Sequence, residues 1–121
     1  MADVVADTAE RLAAALRTVQ GIRVYTDPGA SVDPPGAVVA PPTLTWTAYC
    51  LTPTGAMFRV YLCAKASERA VDSLYRFLEP VALAVDEHAG GVVTRAEPGL
   101  FSAGGIELPA YVVTVEMEIE G

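Results

Sequence analysis

Histidine is all but absent from this sequence, cysteine is scarce, and no run of lysine or arginine occurs in its 121 residues. Each shortage removes a class of function. A general base needs a nucleophile positioned beside it, and a metal ion needs several donors. His88, the sole histidine, has neither in view and reads as a surface residue at a helix end. Cys50 and Cys63 are too few for a disulfide framework or a closed zinc site. With no basic neighbour to favour a thiolate, they read as small buried hydrophobes. Eight basic residues against fifteen acidic ones give a net charge of −7. The chain therefore lacks the clustered cations that grip a phosphate backbone, although DNA could pass it without being held. No apolar run reaches spanning length, and the opening MADVVADTAE is acidic where a signal peptide is basic. The expectation is a chain without a membrane partner, made in the cytoplasm. The glycine-rich stretch EPGLFSAGGIE, residues 97–107, lacks the lysine and hydroxyl of a phosphate loop, has the wrong order for a dinucleotide fingerprint, and reads as a wide hairpin loop leading into the last strand. No catalytic, cofactor or metal residue is assigned, and the chain reads as a non-enzyme.

What is present is material for a core. Apolar residues make up 52% and charged residues 19%, with a mean hydropathy of +0.36. That composition fits a single domain over residues 1–121 with apolar surface left over for a subunit interface. The last strand, residues 108–120, carries the plainest pattern. Tyr111, Val113, Val115, Met117 and Ile119 alternate with Ala110, Val112, Thr114, Glu116 and Glu118. An apolar stripe backed by an acidic face calls for neighbours to cover it.

Upstream, Asp3 is placed to cap a helix running to about Gln20, with Val5, Ala9, Leu12, Leu16 and Val19 on one stripe and Gly21 ending it. Residues 22–26 form a short strand, and Asp27-Pro28-Gly29 fits a type II turn. The stiffened loop that follows, through Val32 and Pro34 to Gly36, is either a plain connection or a docking loop. After a brief strand at residues 37–40, residues 43–51 and 56–65 read as a hairpin that pairs Trp46 with Tyr61 and Thr45 with Leu62. Ser67 is placed to cap a second helix to about Glu87, with Val71, Leu74, Leu78, Val81 and Val85 inward and a kink or break at Pro80. The fold expected is α+β, a mixed and mostly antiparallel sheet with both helices packed on one face. Trp46, Tyr61, Arg59, Pro28, Val32, Pro34, Leu100 and Phe101 are the candidate subunit-interface residues. They are large or amphipathic groups on the second hairpin face, or apolar groups in loops.

Three phrases, GIRVYTDPG after the first helix, PPGAVVAPPTLTW into the hairpin and ELPAYVVTVEMEI at the end, occur in this order of elements. Over nearly its whole length the chain thereby resembles the tail terminator proteins of long-tailed bacteriophages of actinobacteria. The resemblance implies a ring, expected to be a homohexamer, on the head-proximal end of the tail tube in the virion. There it would stop tube polymerisation and join tail to head. The implied partners are further copies of the chain, the major tail tube protein and the head–tail connector or stopper, with DNA threading the lumen unbound. Head–tail stopper or connector subunits of the phage neck are of similar size and form the alternative reading. An enzyme subunit and a monomeric binding module are the competing classes.

Overall fold

The computed structural model describes residues 3–27, 31–103 and 105–119. Within them the chain forms α1 (Val4–Leu16), β1 (Arg23–Tyr25), β2 (Gly36–Val39), β3 (Thr43–Thr45), β4 (Gly55–Cys63), α2 (Ala70–Ala84), β5 (Val92–Ala103) and β6 (Ile106–Glu118). A π-helical turn, Val85–Ala89, extends α2. The sheet runs β1-β2-β4-β6-β5, and β3 shares one edge of β4 with β2. Among the described residues only the β1–β2 pair is parallel. The fold is thus α+β with a mixed, mostly antiparallel sheet. Leu12 and Leu16 of α1 and Leu74 and Val81 of α2 join one core with Phe58, Val60, Val113 and Val115, so both helices cover the same sheet face.

The alternation of β6 is realised residue by residue. Val113, Val115, Met117 and Ile119 are buried, Tyr111 packs at the core's margin, and Glu116 and Glu118 are exposed. Asp3 caps α1 through Oδ1, which accepts from the backbone N–H groups of Val5 and Ala6 at 3.1 Å. Asp3→Ala is expected to lower stability by about 1 kcal/mol, measured by urea denaturation, because two helix N–H groups lose their acceptor. The helix stops at Leu16 rather than near Gln20. Thr18 and Val19 donate to the carbonyls three residues back, tightening the chain into a turn, and Gly21 takes φ +92°.

The second helix departs further from expectation. It begins at Ala70, and Ser67 accepts from Arg69 N–H in a turn ahead of it instead of capping it. Val71 is exposed, and the inward positions are Ala70, Leu74, Val81 and Ala84. The helix continues through Pro80 without a break between Glu79 and Pro80. Pro80 itself is exposed.

The central hairpin has a different register from the sequence reading. Thr45 lies opposite Gly55, not Leu62, and Leu44 opposite Ala56. The positions assigned to the upper hairpin strand are taken by β2, with Ala37 opposite Leu62 and Val39 opposite Val60. Pro41-Pro42 separates β2 from β3 because proline cannot donate to the ladder. Residues 46–54 are therefore an irregular loop. At the other end of the sheet the correction is reversed. The glycine-rich stretch is not a wide loop, because the β5–β6 ladder runs to Ala103 opposite Ile106, closed through Gly105 at φ +80°. A bulge between Val93 and Arg95 resets the alternation of β5.

Candidate interaction surfaces

The sheet face away from the helices is only partly open. Val38, Cys63, Phe101, Leu108 and Ala110 are buried there, with Tyr25, Val32 and Tyr61 packed against them. The connection between the two parallel strands lies over this patch. Asp33 N–H donates to the Tyr25 hydroxyl at 3.1 Å, and Arg23 and Asp33 form an ion pair. A chain that pairs two adjacent parallel strands must cross one sheet face, and here the crossing segment brings Val32 onto the apolar cluster.

This arrangement separates the candidate interface residues into two groups. Tyr61 stacks at a tilt on Phe101, with ring centroids 5.1 Å apart. Phe101, expected in an open loop, is buried in β5 by its own chain. Val32 and Pro34 are half-buried, and Pro28 and Gly29 of the turn expected at residues 27–29 lie outside the described residues. Arg59, Trp46 and Leu100 face solvent. Trp46 and Tyr61 are not a cross-strand pair. Tyr61 pairs with Val38 and Val112, while Trp46 sits beyond Thr45, roughly 20 Å along the strand direction.

Two apolar projections remain, and they stand at opposite ends of the sheet. The first is the 46–54 loop, where Trp46 is 55% exposed, Tyr49 and Leu51 are essentially fully exposed, and Cys50 is also outside. The loop is held open by its own bonds. Thr54 N–H donates to Thr45 O at 2.8 Å, the Thr47 and Thr54 hydroxyls meet at 2.8 Å, and Cys50 N–H donates to Thr47 O at 3.1 Å. Tyr49 has φ +72°, a conformation that an L side chain occupies at some cost. The second projection is the β5–β6 hairpin tip, where Leu100 and Ile106 are exposed. Gly55 pairs with Glu118 and Cys63 with Ala110, so the loop flanks one end of β6 and the tip forms the other. At about 3.3 Å per residue the two are roughly 40 Å apart.

The sequence pattern pointed to Trp46 and Leu100 but passed over Tyr49 and Leu51. A hairpin strand reaching residue 51 would turn both toward the core, but β3 ends at Thr45 and both are exposed.

The chemistry elsewhere is sparse. Among the described residues no group of three or more His, Cys, Asp or Glu could hold a metal ion. No described helix is long and apolar enough to cross a membrane. His88 is exposed in the last helical turn. Cys50 is exposed, contrary to the expectation of two buried thiols, whereas Cys63 is buried and its pKa is pushed up to about 12 by desolvation. A thiol reagent at pH 8 is expected to label one cysteine per folded chain, at Cys50, with Cys63 reacting only on unfolding. Mass spectrometry of the labelled peptides reads this directly. The linkage has a sign. Raised from 9.0 to about 12, the Cys63 pKa favours the fold below pH 9, and that contribution is lost as pH rises toward 12.

No known protein-family model matches the chain, and comparison with curated protein sequences finds no relative.

Proposed function

We propose that this chain is a structural subunit that assembles as a ring on the head-proximal end of a bacteriophage tail tube, ends tube growth and joins tail to head. The observation that carries this reading is the pair of unlike apolar projections at opposite ends of one continuous sheet: the neutral 46–54 loop and the β5–β6 hairpin tip. A tube of stacked rings grows through a heterologous contact, each added ring presenting the surface just covered. Ending it requires a subunit that fits that surface on one side and does not copy it on the other. Two ends of different shape and charge meet that requirement. The loop has no Asp, Glu, Lys, Arg or His, while the hairpin tip carries Glu107 beside Ile106. The resemblance of three phrases to tail terminators of actinobacterial phages suggests the particular assembly, with a homohexamer as the expected ring.

On this reading the partners are other copies of the chain, the major tail tube protein and the head–tail connector or stopper. DNA passes an acidic chain that does not hold it. The protein would be assembled in the host cytoplasm and end in the virion, at the neck end of the tail. Withholding the protein during phage growth and measuring tail length tests the proposal. The same experiment separates it from the stopper reading, for which tail length stays normal while filled heads leak DNA.

A further inference from the structure

We draw no further inference here: the strongest candidate, the exposed apolar patch of Trp46, Tyr49 and Leu51 on the 46–54 loop, belongs to the interaction surface already described, and nothing in the structure shows what covers it.

Discussion

Phe58→Ala is expected to cost about 3–5 kcal/mol, seen as a lower urea midpoint at an unchanged slope. For a chain of this size that is a fall of about 10–20 °C in melting temperature. Phe58 is fully buried at the centre of the sheet, opposite Val115 of β6 and on the face that both helices cover. Truncation removes its apolar contacts and leaves a cavity. On its sheet side the cavity is bounded by β4 and β6, which cannot shift without breaking their ladder, so only the helices can relax and the loss is only partly offset. Tyr49 provides the contrast. It is larger in area but wholly exposed, so Tyr49→Ala is expected to change stability by less than about 0.5 kcal/mol. If Tyr49→Ala proved as damaging as Phe58→Ala, the loop would be part of the folding core and its availability as a docking element would be refuted.

The elements that could be read from sequence were those whose pattern has one solution. β6 offered an unbroken alternation, and α1 offered a capping aspartate followed by a helical stripe; both were found with only their ends displaced. The central hairpin failed because a period of two is blind to register. Nothing local in residues 43–51 says that β2 will occupy β4 first. That competition is decided by Pro41-Pro42 and by the fully buried run Gly36–Val39, which is long-range information. The same blindness hid the 46–54 loop as an interaction surface, since Tyr49 and Leu51 look like core residues when a strand is assumed. Phe101 was misplaced for the opposite reason. Glycines on both sides of it resemble a loop, yet Gly99 simply pairs with Ala110 within the ladder.

The second large effect concerns assembly, where the expected change is in kind. On the proposed function, a tail tube made without this chain has no intrinsic end, because each ring exposes the surface that recruits the next. Growth then continues until tube protein runs low, which gives a broad length distribution. Filled heads are then expected to accumulate unjoined. Substitutions confined to the 46–54 loop should reproduce this phenotype to the degree that they weaken its contact with a partner, whereas Phe58→Ala should do so by lowering the amount of folded protein. The two causes separate on a blot of soluble protein, which stays at wild-type level only for the loop variants.

The most direct measurement is the tail-length distribution in electron micrographs of a lysate made without this protein, beside one complemented with it. The account predicts overlong, variable tails detached from filled heads, restored to a single length and joined on complementation. Tails of one normal length, whether attached to heads or free beside heads that have lost their DNA, would contradict it.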